Sequence, residues 1–214
     1  MKTNLALNTR ILLFIVLGLC ASSLLAQEEP GDDRVDFDDL EKFSSGYFQV
    51  GINHYIPVGS SYVKDGYSFG VGGDFQYNQY LFKDFLIAFQ YNWNNADIED
   101  MQVTGNYTSS AVSNFGFAVG YRFRVLKDFE LTPKIGAGEV SHHNKQGSID
   151  SNDSGTYYHL GTDVAYNFTK RWSFYTNGQY RISKMDIAVD GSRNNYFNSI
   201  PYFIMSFGIR LRIY

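Results

Sequence analysis

The sequence predicts an all-β protein, an eight-stranded antiparallel up-and-down transmembrane β-barrel. Apolar and polar residues alternate with a period of two over segments of about ten residues, which is typical of membrane-spanning strands. The connections between these segments alternate between tight turns and long polar loops, as they do in such barrels. Aromatic residues make up 17% of the chain and charged residues only 19%, an unusual surface composition for a soluble secreted domain.

Eight alternating segments are predicted as strands: 47–57, 67–80, 85–95, 112–125, 130–140, 156–168, 173–184 and 201–213. The third, fourth and eighth show the alternation most clearly. In the fifth, Pro133 lies near the start, where the missing ladder donor of proline is tolerated. Strands of this length, tilted by about 40°, cross an apolar band of roughly 25 Å.

The predicted connections are of two kinds. Three are tight (81–84, 126–129 and 169–172), and four are longer and polar (58–66, 96–111, 141–155 and 185–200). The tight turns resemble one another, with Lys-Asp-Phe at 83–85 and 127–129 and Lys-Arg-Trp at 170–172. They recur every 43 or 44 residues, which indicates one hairpin per repeat. Both ends of the barrel chain then fall on the short-turn side, which requires an even number of strands.

The composition of the two faces indicates which one points outward. One face is bulky and aromatic, and the other is mainly Gly, Asn, Gln, Ser and Ala. A solvated exterior would be rich in Lys and Glu, so the polar face suits a cramped interior and the apolar face suits lipid. The alternative, a soluble barrel with its apolar face inside, is less consistent with these compositions. Nine charges are predicted to form a lumen network: Asp74, Arg122, Arg124, Glu130, Lys134, Asp163, Arg181, Arg210 and Arg212.

Aromatic residues also concentrate near the ends of the predicted strands. Tyr, Trp and Phe at such positions form girdles at the level of the membrane interface. The residues predicted for this role are Phe82, Phe85, Trp93, Phe129, Phe168 and Trp172.

The first 26 residues resemble a secretory signal peptide. Lys2 and Arg10 supply a positive region, 11–19 is apolar, and Ala26 offers a cleavage point. The apolar run is too short for a membrane-spanning helix. Lipidation of Cys20 is the alternative, but the preceding Leu19 is not the small residue that such a site needs. Cleavage after Ala26 removes the one cysteine, so the mature chain can form neither a disulfide nor a thiolate metal site.

Residues 27–45 are predicted to be an acidic periplasmic lead-in, and 46–214 the barrel domain. Eight of the 22 acidic residues lie between 27 and 43, whereas the rest of the chain after them is neutral. Such a composition is typical of a solvated, disordered segment. A calcium site at Asp36, Asp38 and Asp39 is the alternative, but the glycine and final glutamate of an EF-hand loop are missing.

The Lys-Asp-Phe turns, the segment Leu-Thr-Pro-Lys-Ile-Gly-Ala-Gly at 131–138 and the closing Phe-Gly-Ile-Arg-Leu-Arg-Ile-Tyr at 207–214 carry a family resemblance. The chain resembles small outer-membrane β-barrel proteins of Bacteroidota-type bacteria, often described as porin-like, and more distantly barrels of the OmpA and OmpX type. The resemblance covers about 46–214 and implies insertion into the bacterial outer membrane by the barrel-assembly machinery. Tyr214 departs from the usual terminal signal, because it is in phase with the inward face.

Two groupings of residues could carry chemistry. A hydroxyl nucleophile and its base could come from Glu139, Ser141, His142 and His143, since some outer-membrane barrels modify lipid A. A divalent metal could be held by His142, His143, Asp150 and Asp153. A polar surface loop explains both groupings more simply. No phosphate-binding loop, zinc-helix motif or basic nucleic-acid patch is present in the sequence.

The sequence therefore favours a non-enzymatic outer-membrane barrel without cofactors, whose lumen is filled by side chains. Its role would be structural, or binding and adhesion through loops that contain Tyr62, Tyr107, Tyr196 and Phe197. Its partners would be outer-membrane lipid, the assembly machinery and an extracellular or envelope protein, with no nucleic acid. A small porin-like channel is the alternative, followed by a lipid A-modifying enzyme and a subunit of an envelope complex.

Overall fold

The computed structural model describes residues 46–146, 149–187 and 191–213. They form ten strands: β1 (Gly46–Pro57), β2 (Tyr67–Phe69), β3 (Val71–Phe82), β4 (Phe85–Ile98), β5 (Ser109–Tyr121), β6 (Phe123–Leu126), β7 (Phe129–Gln146), β8 (Ile149–Asn167), β9 (Trp172–Met185) and β10 (Ser199–Ile213). Short helices lie in the connections: α1 (Tyr62–Gly66), α2 (Met101–Thr104), the 3₁₀ turn Gly191–Arg193 and α3 (Asn194–Asn198). None of the described helices is long and apolar enough to cross a membrane.

The ten segments make a closed antiparallel barrel of eight strands. β2 and β3 are two parts of one strand, interrupted at Gly70, and both pair with β4. β5 and β6 are likewise one strand, interrupted at Arg122, and both pair with β7. Every strand pairs with its neighbours in sequence, and β1 pairs with β10 from Gly46 opposite Ile213 to Pro57 opposite Tyr202. This last pairing closes the sheet, so the predicted fold is confirmed.

The tight turns lie where the sequence predicts them. They join β3 to β4, β6 to β7, and β8 to β9 at the same end of the barrel. In the first turn, Lys83 has a φ of 49°, which is the left-handed conformation that a two-residue hairpin turn requires. This end is called the short-turn end, and the opposite end is called the long-loop end.

The predicted long loop at 141–155 is wrong. β7 continues to Gln146 and β8 begins at Ile149, and the two strands pair without interruption from Phe129 opposite Tyr166 to Gln146 opposite Ile149. The segment resembles a loop in sequence because its strands rise above the apolar band, so neither face carries the bulky apolar residues that mark the other strands. Its backbone groups are satisfied by the ladder all the same.

The two faces of the sheet are placed as the sequence predicts. Bulky side chains on alternate positions are exposed on the outside, among them Phe117 at 60%, Ile135 at 60% and Phe207 at 61%. The residues between them point into the lumen and are buried, mostly Asn, Gln, Ser, Ala and charged side chains. The described barrel therefore has an apolar exterior, and most of its inward residues are polar or small.

The signal peptide, the lead-in at 27–45, Cys20, the aspartates at 36–39 and Tyr214 lie outside the described residues. The predictions for them stay predictions.

Candidate functional site

The lumen near the short-turn end is filled by an ion-pair network centred on Glu130. Nη1 of Arg210 donates to Oε2 of Glu130 at 2.9 Å, and Nη2 of Arg212 donates to Oε1. Nη1 of Arg122 approaches the same carboxylate at 4.0 Å, while its Nη2 lies 2.6 Å from Asp84 in the first tight turn. A carboxylate buried this deeply is tolerated because several cations surround it.

Asp163 is the second buried anchor of this network. Nζ of Lys134 lies 2.7 Å from Oδ2 of Asp163, and Nη2 of Arg210 lies 3.6 Å from the same oxygen. Amide groups of Gln49 and Asn177 also donate to this carboxylate, at 3.2 and 2.6 Å. Arg210 thus joins the carboxylates of Glu130 and Asp163 into one network. The Arg210 guanidinium carbon also lies over the ring of Tyr47, 4.0 Å from its centroid, in a cation–π contact.

Bonds from Lys134 also cross the lumen. Its Nζ donates to Oε1 of Gln76 at 3.0 Å and to Oδ1 of Asn78 at 2.8 Å, both on β3. β7 and β3 are separated by β4 and β5 around the sheet. The Lys134 ammonium group therefore connects β7 to β3 by hydrogen bonds and occupies the lumen between these two strands.

Two of the predicted lumen charges, Asp74 and Arg181, contact only neutral groups among the described side chains. Asp74 accepts from Tyr175 at 2.6 Å, from Gln76 at 3.3 Å and from Asn92. Arg181 donates from Nη2 to Oδ1 of Asn92 and to Oε1 of Gln179, each at 2.8 Å. Asn92 consequently bridges the two opposite charges without their touching.

Arg124 is the one predicted lumen charge that is not buried. It lies half-buried in β6, opposite Glu130 in the register with β7. The other eight predicted charges lie buried within the barrel wall.

The long-loop half of the lumen has a different composition. A cluster of buried, mainly apolar and aromatic side chains fills it: Tyr55, Tyr62, Val63, Tyr67, Phe69, Ala96, Val112, Val140, Tyr157, Met185, Ile200, Tyr202 and Ile204. Sequence reasoning missed this cluster, which we call the aromatic plug. The available signal was the presence of Tyr and Ile at inward positions of β1, β8 and β10, where the short-turn half has polar residues.

Helix α1 folds onto the aromatic plug. Ser61 caps its N-terminus by accepting from the backbone of Lys64, and Tyr62 stacks on Phe197 with ring centroids 5.3 Å apart. Burial raises the pKa of the Tyr62 hydroxyl above its ordinary value. The prediction that Tyr62 is an open loop residue for partner contact is therefore wrong, because the plug and the neighbouring loop leave its side chain only 5% exposed.

The neighbouring loop is fastened in the same way. The hydroxyl of Tyr196 donates to Oδ2 of Asp65 in α1 at 2.8 Å. Partial burial, and this bond to the carboxylate, raise the pKa of Tyr196 to about 12. The side-chain amide of Asn198 also makes two hydrogen bonds with the backbone of Ile187, accepting from its N–H and donating to its carbonyl oxygen. The long loops are thus packed over the end of the barrel.

A groove of about 690 Å³ lies on the outer wall near the long-loop end. It runs across the outward faces of β4, β5, β7, β8 and β9, above the apolar band. Its lining is mostly polar: Tyr91, Ser113, Asn114, Phe115, Glu139, Val140, Ser141, Asn152, Ser154, Gly155, Thr156, Lys184 and Asp186.

The structure removes His142 from the predicted Ser-His-Glu grouping and leaves Glu139, Ser141 and His143 on the outer face of β7. Ser141 lies on the outer face, where its hydroxyl donates to Oδ1 of Asn152 at 2.5 Å. His142, the next residue, points into the lumen and is 1% exposed. Successive side chains of a strand lie on opposite faces, so His142 cannot act as the base for Ser141. His143 shares the outer face with Glu139 and Ser141, but the Ser141 hydroxyl bonds Asn152, and no hydrogen bond among the described groups joins Ser141 to His143 or His143 to Glu139.

The same pleat rules out the predicted metal grouping, because His142 and His143 point to opposite sides of the sheet. Asp153 is opposite His142 in the ladder and accepts from Asn144. Within the described part of the chain, no group of three or more His, Cys, Asp or Glu side chains is placed to hold a metal ion.

The predicted interface aromatics lie on the outer surface. Phe82, Phe85, Phe129 and Phe168 are exposed beside the tight turns, and Trp172 is half-buried there. Trp93 lies higher on β4, and its indole covers Gly73, whose added Cβ would be 2.1 Å from the ring.

Comparison with known proteins gives likeness of fold only. No family model matches the chain, and no curated relative matches it. Several solved structures are similar, and three of them are described here. Neisserial surface protein A is 13% identical with a TM-score of 0.58, and the match covers 79% of this chain and 98% of that protein. A major outer membrane protein from Thermus thermophilus is 10% identical with a TM-score of 0.51, over 78% and 98% of the two chains. The outer membrane protein OprG from Pseudomonas aeruginosa is 9% identical with a TM-score of 0.50, over 80% and 98%.

These structures and the closed sheet define the class as small eight-stranded outer-membrane-type β-barrels. An origin in Bacteroidota-type bacteria stays a prediction of the sequence.

Proposed function

We propose that the chain is a bacterial outer-membrane β-barrel that does not conduct, and that it binds a ligand at its long-loop end. The observation that carries the membrane location is the band of exposed apolar side chains around the outer wall. Phe48, Ile87, Phe117, Leu160 and Phe207, on five different strands, are each 38% to 64% exposed. Such a surface is stable only when hydrocarbon or another apolar partner covers it.

The orientation follows from the connections. The tight turns face the periplasm, as in other outer-membrane barrels, and the long loops and the tall β7–β8 hairpin face the exterior. The exposed aromatics beside the tight turns then lie at the inner interface, and outer-membrane lipid surrounds the band. Insertion would use the barrel-assembly machinery, which reads a C-terminal strand such as β10.

The absence of conduction is argued from the two layers inside the lumen. The Glu130 network closes the short-turn half and the aromatic plug closes the long-loop half. An eight-stranded barrel leaves an interior just wide enough for side chains, and here these side chains bond across it. The Ser141 hydroxyl bonds Asn152 and not a histidine, which favours a non-enzymatic role.

Single-channel recording tests this part of the proposal. Purified full-length barrel, reconstituted in planar bilayers, should give no steady conductance steps in 1 M KCl. A general porin in the same bilayers is the positive control. Reproducible steps that scale with the amount of inserted barrel would instead make the chain a small channel.

The groove on the outer wall favours binding of a saccharide. Its lining combines hydroxyl and amide groups, those of Ser113, Thr156 and Asn152, with the rings of Tyr91 and Phe115. Sugars present hydroxyls on their edges and C–H groups on their faces, so they match a surface that offers both hydrogen bonds and rings. The groove also lies where headgroup sugars or extracellular glycans would meet the barrel.

An array of immobilised oligosaccharides tests the binding role. The barrel in lipid nanodiscs should bind a subset of the sugars, and Thr156→Val should weaken that binding about tenfold because it removes one hydroxyl without changing shape. Lys64→Ala, an exposed change in α1 away from the groove, is the control and should bind like wild type. Equal binding by wild type and Thr156→Val, or none by wild type, would refute the role of the groove.

A further inference from the structure

The lumen buries more positive than negative side chains. Five cationic side chains are buried in it: Arg122, Lys134, Arg181, Arg210 and Arg212. Three buried carboxylates face them, those of Asp74, Glu130 and Asp163, and Asp84 in the first turn pairs with Arg122. Even without the half-buried Arg124, the described lumen holds one more positive charge than negative charges. A buried charge without a counter-charge costs several kcal/mol, so this excess calls for an explanation.

Arg181 is the one buried cation of the described lumen that no carboxylate contacts, since Asn92 separates it from Asp74. The other four buried cations each lie within 4.0 Å of a carboxylate, whereas no described acidic side chain lies within that distance of Arg181. Arg181 is 0% exposed, and its Nη2 donates both hydrogens to neutral amide oxygens. The hydroxyl of Tyr55 lies close to the guanidinium, but it too is neutral. Apart from this contact, Nε and Nη1 of Arg181 have no hydrogen-bond partner of good geometry among the described groups, so guanidinium hydrogens are left over.

Two further polar side chains beside Arg181 are also unsatisfied. His159 lies directly opposite Arg181 in the β8–β9 ladder, is 4% exposed, and has no described partner at either ring nitrogen. Tyr157 is next along the same face of β8. Its ring stacks on His159 and lies 4.1 Å from the Arg181 guanidinium carbon, and its buried hydroxyl has no described partner. Three neighbouring buried side chains therefore have polar atoms without a described partner, which is rare in a folded interior.

We infer that a small monovalent anion of halide size binds in the lumen against Arg181, with His159 and Tyr157 as further donors. A water molecule would accept hydrogen bonds from these donors but would not neutralise the positive charge of Arg181. An anion satisfies both. The side chains of the aromatic plug and of the ion-pair network fill the lumen on either side of Arg181, which favours an anion of one atom over phosphate, carboxylates and sugars.

The anion would be held between the two closed layers. Tyr157 belongs to the aromatic plug on one side, and Arg181 connects through Asn92 and Asp74 to the polar half on the other. Exchange would require the plug or the network to open. The anion therefore acts as a structural component that stabilises the barrel, and this role is independent of any conduction or of sugar binding at the outer wall.

Bromide replaces chloride in such sites and can be located by anomalous scattering. Crystals of the full-length barrel grown in sodium bromide should show an anomalous peak beside the Arg181 guanidinium. In addition, the temperature at which the folded band converts to the unfolded band in gels should be roughly 3–6 °C higher in 0.5 M sodium bromide or chloride than in 0.5 M sodium gluconate, whose anion is too large to enter.

Two variants make the test specific. Gln179→Glu places a carboxylate where an amide oxygen already accepts from Arg181, so it should remove both the anomalous peak and the difference between salts while the barrel stays folded. Arg181→Met should do the same if it folds. Lys184→Met, which removes an exposed cation from the same strand, should keep both signals. The inference fails if wild-type crystals show only water at Arg181, or if the halide dependence persists unchanged in Gln179→Glu.

Discussion

Arg181 and Asn92 join opposite walls of the barrel, with Nη2 of the arginine 2.8 Å from Oδ1 of the asparagine. Three strands lie between β9 and β4 in either direction around the closed sheet, so this bond spans the full width of the lumen. The same asparagine donates to Asp74 on β3. One neutral side chain thus organises two buried charges of opposite sign.

Asn92→Ala should destabilise the barrel by roughly 2–4 kcal/mol, because it leaves hydrogen-bonding groups of both Arg181 and Asp74 unsatisfied in a buried position. The midpoint of urea unfolding in lipid vesicles measures the loss. Asn95→Ala is the matched control on the outward face of the same strand, and it should change the stability by less than about 0.5 kcal/mol. Equal effects of the two substitutions would contradict a cross-lumen role for Asn92.

Glu130→Gln should cost about 3 kcal/mol or more, since it leaves Arg212 without a carboxylate and Arg210 with only the more distant Asp163. Glutamine has nearly the same shape, so the effect isolates the charge. Urea unfolding is again the measurement, with Glu139→Gln on the outer face as the control that should be close to wild type. A neutral or stabilising result for Glu130→Gln would show that the network is not held by this carboxylate.

Gly73→Ala should displace the indole of Trp93 from the outer wall. A Cβ at this position would lie 2.1 Å from the ring, and β3 has no room to move because it pairs on both sides. We expect a changed near-ultraviolet circular dichroism signal from Trp93 and a loss of roughly 1–2 kcal/mol. Gly178→Ala is the control, because its nearest neighbour would be Phe203 at an ordinary 3.7 Å. An unchanged tryptophan signal in Gly73→Ala would contradict the packing described.

Tyr196 should ionise late. Its pKa is raised to about 12, above the ordinary value of 10.0, partly because the neutral hydroxyl donates to Asp65. The stabilising bond is therefore present below about pH 10 and is lost as the pH rises through 12. The difference in absorbance at 295 nm between wild type and Tyr196→Phe should appear near pH 12. A difference that appears near pH 10 would show that the loop is not fastened to α1.

The strands, the turns and the two faces could be predicted from the sequence because they depend on local alternation and on turn residues. Pro133, for example, fits its strand because it lies near the start of β7. The alternation failed at 141–155, where the β7–β8 hairpin rises out of the apolar band and both of its faces become polar. Alternation of apolar and polar residues arises when one face of a strand lies in an apolar environment. It is therefore absent from a strand that has polar surroundings on both faces.

The partners inside the lumen could not be predicted. Arg210 meets Glu130 across 80 residues of sequence, and which inward residues reach the same height depends on the stagger of the strands around the barrel. The aromatic plug was missed for a related reason. Tyr62 lies in a connection, and its burial depends on α1 folding back over the end of the barrel.

Accessibility of a spin label on β5 tests most directly whether the bulky face meets lipid. The described barrel contains no cysteine, so Phe117→Cys and Ala118→Cys each give one label, on opposite faces of the strand. In lipid vesicles, a label at 117 should collide frequently with oxygen, which dissolves in hydrocarbon, and rarely with a water-soluble nickel chelate, whereas a label at 118 should be shielded from both. A label at 117 that collides mainly with the nickel chelate would place this face in water and contradict the membrane barrel.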